Sequence, residues 1–227
     1  MKSFVIASSK SWHKANFDKF SKKKNNFNLT YVSTPDELDL ALKENTNPRY
    51  LFFLHWNWKV LPAIFQKYEC VCFHMTDLPY GRGGSPLQNL ILDGNKQTMI
   101  SAFKMVEEID AGPIYDKKPM LLDGRAEDIY KRSGDLSWEI INWIIKNEPV
   151  PEPQKDNPIY FNRRNPEESL LPTEGRLFEI YDYIRMLDAP TYPLAYIDHG
   201  DFRLEFSDAK LKDDIIDARV IIKKYKI

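Results

Sequence analysis

Apolar runs four to seven residues long, each followed by a stretch with helical spacing, set the first limit on how this chain folds. Phe4 to Ala7, Phe27 to Val32, Tyr50 to Trp56 and Glu69 to Phe73 read as strands. The segments between them, Trp12 to Lys24, Pro35 to Glu44 and Val60 to Lys67, read as helices. Strands without polar alternation must be covered on both faces, and crossover helices supply that cover. The spacing therefore predicts an α/β fold, a Rossmann-like, mostly parallel sheet with helices on both faces. Pro35 at a helix start, with Leu38, Ala41 and Leu42 on one face behind it, agrees with that reading. Leu87 to Leu92 and Ala126 to Lys146 add two helical patterns, and Thr98 to Met105 and Ile114 to Leu121 add two strands.

Glu148-Pro149-Val150-Pro151-Glu152-Pro153 is a stiff connector. It predicts an α/β domain over residues 1–150 and a C-terminal helix with a small antiparallel β subdomain over 151–227. In the latter, a helix is expected from about Gly175 to Leu187. Strands are expected at Ala195–Ile197, Phe202–Phe206 and Ala218–Lys224, with His199-Gly200-Asp201 as a turn.

With 32 basic and 33 acidic residues the total charge argues against a general nucleic-acid-binding surface, although a local basic patch is compatible with it. No apolar run is long enough to cross a membrane, and the short N-terminal run is not a secretory signal. The two cysteines, Cys70 and Cys72, lie too close along one strand for a relaxed disulfide, so a reducing cytoplasm is the expected compartment. Cys70, Cys72 and His74 alternate, but same-face strand positions are about 6.5–7 Å apart, too far for one zinc ion. No metal site is expected.

The chemistry gathers around His74. The strand Cys70–Phe73 delivers this imidazole to its C-terminal end, and a Pro/Gly-rich loop, Leu78-Pro79-Tyr80-Gly81-Arg82-Gly83-Gly84-Ser85-Pro86, follows. In open α/β sheets ligands bind beyond such strand ends. Downstream, Asp110-Ala111-Gly112 places an acid on a bend, and an imidazole with a carboxylate makes an acid/base pair. Arg82 reads as a loop anchor. Ser9 and Lys10 stand where the first strand meets a helix N-terminus, a place suited to phosphate. No Gly-x-Gly-x-x-Gly is present, which disfavours a dinucleotide cofactor. Ser21-Lys22-Lys23-Lys24 reads as an exposed helix end, and His13, His55 and His199 receive no catalytic role.

His74, Leu78-Pro79, Arg82-Gly83, Pro86, Gln88 and Asp110-Ala111-Gly112 match, in order and spacing, the signature of formyltransferases that use N10-formyltetrahydrofolate. Tyr160–Ser169, Ile180–Leu187 and Pro190–Tyr196 look like the corresponding segments of enzymes that formylate nucleotide-linked amino sugars, of the pseudaminic-acid-pathway type. The resemblance implies a catalytic domain over residues 1–150, with a UDP-4-amino-4,6-dideoxy sugar as the amine. It also implies N10-formyltetrahydrofolate as co-substrate, held by Trp58, Lys59, Val60 and Leu61 together with the loop from Val106 to Gly112. Ser9, Lys10 and Asn57 would meet the sugar nucleotide. His74 would polarise and protonate the formyl oxygen, with Asp110 orienting it. Methionyl-tRNA or another amine as acceptor, or a catalytically silent folate- or nucleotide-sugar-binding protein, stay open, as does oligomeric state, a homodimer included. One position departs from the family: its asparagine, two residues before the histidine, is Cys72 here. A thiol is a weak donor, and the carboxamide of Asn57 is the substitute the sequence offers.

Overall fold

A computed structural model describes residues 1–22, 26–44, 47–190 and 192–224. Lys23 and Lys24 of the expected helix end, and Thr191, lie outside the described residues. Strands and helices alternate first as β1 (Lys2–Ala7), α1 (Ser11–Ser21), β2 (Phe27–Val32), α2 (Pro35–Glu44), β3 (Tyr50–Phe53), α3 (Pro62–Phe65) and β4 (Cys70–His74). A two-residue strand β5 (Arg82–Gly83), α4 (Pro86–Leu92), β6 (Gln97–Lys104), β7 (Ile114–Leu121) and α5 (Ala126–Asn147) follow. The chain closes with β8 (Tyr160–Phe161), a 3-10 turn at Pro166–Ser169, α6 (Leu177–Leu187), β9 (Ala195–His199), β10 (Phe202–Lys212) and β11 (Ile215–Lys224).

The main sheet has the order β2-β1-β3-β4-β6-β7. β1 pairs in parallel with β2 and β3, and β3 with β4, while β6 runs antiparallel to β4 with His74 opposite Ser101. The fold is thus the expected α/β type with a mostly parallel sheet. Because β1 and β3 are neighbours whose connections leave in opposite directions, a crevice opens beyond their C-terminal ends.

The chain forms two compact units. The first comprises Met1–Arg82, Met99–Met120 and Lys131–Tyr160. On one face of its sheet Val5, Ala7, Val32, Leu38, Leu51, Phe53 and Cys70 make a buried cluster, and Trp56, Val60, Cys72 and Met105 pack against it. Phe4, Phe27, Tyr50 and Phe52 pack their rings together, Phe4 meeting Phe27 edge-on at 5.2 Å. The fully buried Phe4 and Phe52 rings each contribute about 1.5–3 kcal/mol. The second unit comprises Gly83–Thr98, Leu121–Tyr130 and the chain from Phe161 onward. It packs α4 and α6 together and adds the antiparallel sheet β11-β10-β9. Gln88 Nε2 donates to Tyr130 Oη and to the Met186 carbonyl, at 3.2 and 3.0 Å.

Two elements differ from the sequence reading for local reasons. β3 stops at Phe53 instead of reaching Trp56, because His55 turns into the left-handed region at φ 46° and ends the pairing. The C-terminal hairpin is longer than expected. Its register shifts between Ser207 and Lys210, with Asp208 at φ 52°, and pairing resumes to Lys212 and Ile215. That bulge breaks the period-two alternation a sequence reading depends on.

Candidate active site

β4 carries Cys72 and His74 on one face, two residues apart, with His74 the last residue of the strand. The ring is one-tenth exposed, and its Nε2 lies 2.8 Å from the Gly81 carbonyl. A carbonyl only accepts, so Nε2 carries the proton and donates. Thr76 Oγ1 also donates to that carbonyl, and Ser101 Oγ holds the Thr76 carbonyl at 2.7 Å. The Pro/Gly loop, whose Leu78–Pro79 peptide is cis, is thus fixed to the histidine it follows. In the neutral ring Nδ1 keeps a lone pair, and it faces Asp110 Oδ2 at 3.7 Å. That separation suits an ion pair once His74 is protonated and exceeds a direct hydrogen bond. The group holding the ring is therefore the Gly81 carbonyl, where the sequence reading had given orientation to Asp110.

Asp110 sits at φ 55° on the loop between β6 and β7. The loop turns back so tightly that a Cβ at Gly112 would meet the Lys104 carbonyl oxygen at 1.6 Å, so only glycine fits. Gln154, just past the Pro-rich connector, clamps this loop: its Nε2 donates to the carbonyls of Asp110 and Gly112 at 2.7 and 2.8 Å. Arg82 in turn donates from Nε and Nη2 to Gln154 Oε1 and from Nη1 to Glu108 Oε1. Arg82 is a loop anchor, as expected. Gln154 was missed; its only trace in sequence is a lone amide after a rigid Pro-x-Pro segment.

Trp56 and Trp58 meet edge to face at 4.9 Å on the loop after β3. Asn57, Trp58, Lys59 and Leu61 are exposed there, and Val60 packs against the core cluster. Val106 lies at the surface of the β6–β7 loop, and Gly112 is buried. β3 and β6 flank β4, so the loops that follow them bear the residues the sequence reading assigned to the co-substrate. Trp56, Val60 and Met105 form an apolar wall beside Cys72, packed against the core cluster. Ser9 Oγ donates to the His55 carbonyl at 2.9 Å, and partial burial lowers the pKa of Lys10. Ser9 therefore ties one loop to another. Burial pushes the Cys72 thiol far up, and the neighbouring Cys70 and Asp110 charges add to this, so Cys72 stays protonated. Among the described residues no group of three or more His, Cys, Asp or Glu is arranged to hold a metal ion, and no helix is long and apolar enough to cross a membrane.

Over 99% of its length the chain is 43% identical to methionyl-tRNA formyltransferase from Clostridium thermocellum, covering 100% of that protein with a TM-score of 0.95. The chain belongs to the formyltransferase family. The family's one-carbon donor is N10-formyltetrahydrofolate. Residues 166–223 match the family model described as the C-terminal domain of methionyl-tRNA formyltransferase. Methionyl-tRNA formyltransferase from Rickettsia bellii is 25% identical over 154 residues, 66% of this chain and 50% of that protein. The chain thus spans about half the length of such curated relatives. A 4-N formyltransferase from Francisella tularensis, 18% identical with a TM-score of 0.68 over 88% of this chain and 93% of that one, shares the fold.

These similarities correct the expected acceptor. The segments Tyr160–Ser169, Ile180–Leu187 and Pro190–Tyr196, read from sequence as marks of an amino-sugar enzyme, occur in a chain whose full-length likeness is to a methionyl-tRNA formyltransferase. The 4-N formyltransferase from Francisella tularensis shares too little identity to say more than fold. With the nucleotide sugar withdrawn, the phosphate role read for Ser9 and Lys10 loses its ligand.

Proposed function

We propose that this formyltransferase moves a formyl group from N10-formyltetrahydrofolate to the amine of methionyl-tRNA, with the chemistry in residues 1–150 and acceptor contacts in residues 151–227. The observation that carries this reading is the 43% identity, along almost the whole chain, to methionyl-tRNA formyltransferase from Clostridium thermocellum. Exposed Lys210, Lys212 and Arg219, inside the segment resembling that enzyme's C-terminal domain, supply cations for a phosphate backbone despite the neutral total.

The side-chain geometry supports a division of labour. Neutral His74, its Nε2–H spent on Gly81, offers the Nδ1 lone pair to the incoming amine. As the amine nitrogen bonds to the formyl carbon, His74 takes its proton, and the imidazolium then forms beside the Asp110 carboxylate that stabilises it. When the carbon–nitrogen bond to the donor breaks, His74 returns the proton to the departing nitrogen. Gln154 and Arg82 keep Asp110 in place, and the apolar wall of Trp56 and Val60 orients the donor. The bound co-substrate supplies the activated one-carbon unit.

The test is direct formylation of methionyl-tRNA by the purified protein in the presence of N10-formyltetrahydrofolate. Formyl-methionyl-tRNA should accumulate, with a rate that falls steeply as salt is raised. No transfer to methionyl-tRNA from a protein that binds the folate would overturn the proposal.

A further inference from the structure

The antiparallel sheet of the second unit has one covered edge and one open edge. At β9, the Leu171 N–H donates to the Tyr196 carbonyl at 2.8 Å, so Leu170 and Leu171 lie against that strand. The other edge is β11, ten residues long, which among the described residues pairs with β10 alone. Its outward N–H and C=O groups form a row that a further strand can meet. Proteins blunt such edges with prolines, bulges or short strands. β11 has no proline, and the bulge in this hairpin lies on β10 between Ser207 and Lys210, so the edge itself stays regular. Ile215 is 67% exposed on it, and Val220 43%.

Charge says what this edge meets. Away from the turn at Asp213 and Asp214, charges are matched across strands: Arg203 pairs with Asp198 at 2.8 Å, and Lys223 with Glu205 at 2.6 Å. Asp217 and Arg219 differ. They are the only charged residues from Ile215 to Ile222, they are exposed, and they share one face of β11. Among the described residues neither forms an ion pair or a side-chain hydrogen bond. A twofold axis perpendicular to the sheet at Ala218 would lay a second copy of β11 antiparallel to the first. Ala218 then faces Ala218, and Asp217 faces Arg219, Ile216 faces Val220 and Ile215 faces Ile221, each of these twice. Opposed side chains lie about 4.5–5.5 Å apart, close enough for opposite charges to attract and apolar groups to pack. Moving the axis one residue either way sets Arg219 against Arg219 or Asp217 against Asp217.

We propose that this chain associates with a second copy of itself through β11, joining two three-stranded sheets into one of six strands about a twofold axis at Ala218. An apolar edge alone would accept many strands; the two charges make this one complementary to itself. Pairing also closes the edge, because a twofold contact leaves no free β11 on either copy. Ile215–Ile221 gives a contact at the small end of specific interfaces, so the dimer is reversible and depends on concentration. Arg219 is spent on the second copy, while Lys210 and Lys212 remain for phosphate. The association does not depend on the acceptor reading above.

Sedimentation velocity of the purified chain from about 1 to about 300 µM reads the association directly, and a monomer–dimer equilibrium in the micromolar range is expected. D217R makes both charged pairs repulsive, and so does R219D; each should weaken association about tenfold or more. Combining D217R with R219D restores opposite charges and should restore the dimer, which separates pairing from any damage to the hairpin. Cysteines read the register. A218C should give a disulfide-linked dimer on mild oxidation, since opposed strand residues lie within disulfide range, with the wild type as the blank for Cys70 and Cys72. I216C and V220C should not cross-link alone and should cross-link when mixed. A monomer across the whole range, a dimer unmoved by D217R, or self-linking of V220C in place of A218C would each overturn the proposal.

Discussion

Buried polar side chains meet opposite fates in the two units. In the second, Arg185 and Asp182 on α6 are almost fully buried, with Nε donating to Oδ1 at 2.6 Å. Arg185 Nη1 also donates to the carbonyls of Leu122 and Gly124, at 2.6 and 3.0 Å. The charges neutralise each other and the donors are matched, so the pair is a structural fastener. In the first unit, His74 presents a lone pair toward a carboxylate 3.7 Å away. His13 there leaves one buried ring nitrogen unpartnered, and His55 and Asp110 both occupy left-handed backbone. Matched polarity holds a fold, whereas a ring lone pair facing a carboxylate is placed to take up a proton.

That contrast is open to attack from both sides. His74→Ala should produce the largest effect, a fall in kcat of about 10²–10⁴-fold, with a melting temperature close to wild type. A collapse in stability of that variant would put His74 in the fastener class. Arg185→Met should do the reverse. It leaves the Asp182 carboxylate buried opposite an apolar group and costs about 3–5 kcal/mol in denaturant titration, while the folded fraction keeps its turnover. Gln154→Ala lies between the two. It frees the carbonyls of Asp110 and Gly112 and removes an Arg82 partner, so about 1–3 kcal/mol of local stability goes. Because the loss falls on the loop carrying Asp110, kcat should drop about tenfold with little change in KM.

How legible each region was follows from the same physics. The parallel sheet, His74 and the Asp110 bend could be read because continuous apolar runs, a strand-end histidine and an Asp-x-Gly are local patterns. The Arg82 anchor was legible as a charge within a loop that needs fixing. Gln154 and the His13–His55 pair were not, since each depends on residues more than forty positions apart meeting in space. A histidine on an apolar helix face looks the same in sequence whether it fills a core or meets a second histidine across the fold. The acceptor was misread for another reason: Tyr160–Ser169, Ile180–Leu187 and Pro190–Tyr196 carry resemblance in residue types that different members of one family share. Substrate choice lies in surfaces, and surfaces leave no periodicity.

The histidine pair gives the comparison a pH signature. The folded pKa of His55 lies near 4 through burial, against about 6.5 in an unfolded chain, and burial also lowers His13. Between those values the unfolded state binds more protons, so stability is full above about pH 6.5 and is lost as pH falls toward 4. Each group contributes at most about 1.4 kcal/mol per pH unit. Lys10 and His74, whose charges act on His55, set the same direction. Unfolding titrations from pH 7 to 4.5 should therefore slope less in a His13→Gln, His55→Gln double variant than in the wild type. Parallel slopes would mean that the pair titrates freely when folded.

Trp58 should give the smallest effect, and it tests where the crevice ends. The ring is 43% exposed, and its contact with Trp56 is an edge-to-face pair at 4.9 Å. Such a pair contributes about 0.5–1.5 kcal/mol beyond area burial, too little to hold the loop alone. If Trp58 walls the folate, Trp58→Ala should raise KM for the folate about three- to tenfold at constant kcat, the change expected when binding is lost equally from ground and transition states. A fall in kcat at constant KM would instead place Trp58 among the groups that act only as the bond is made.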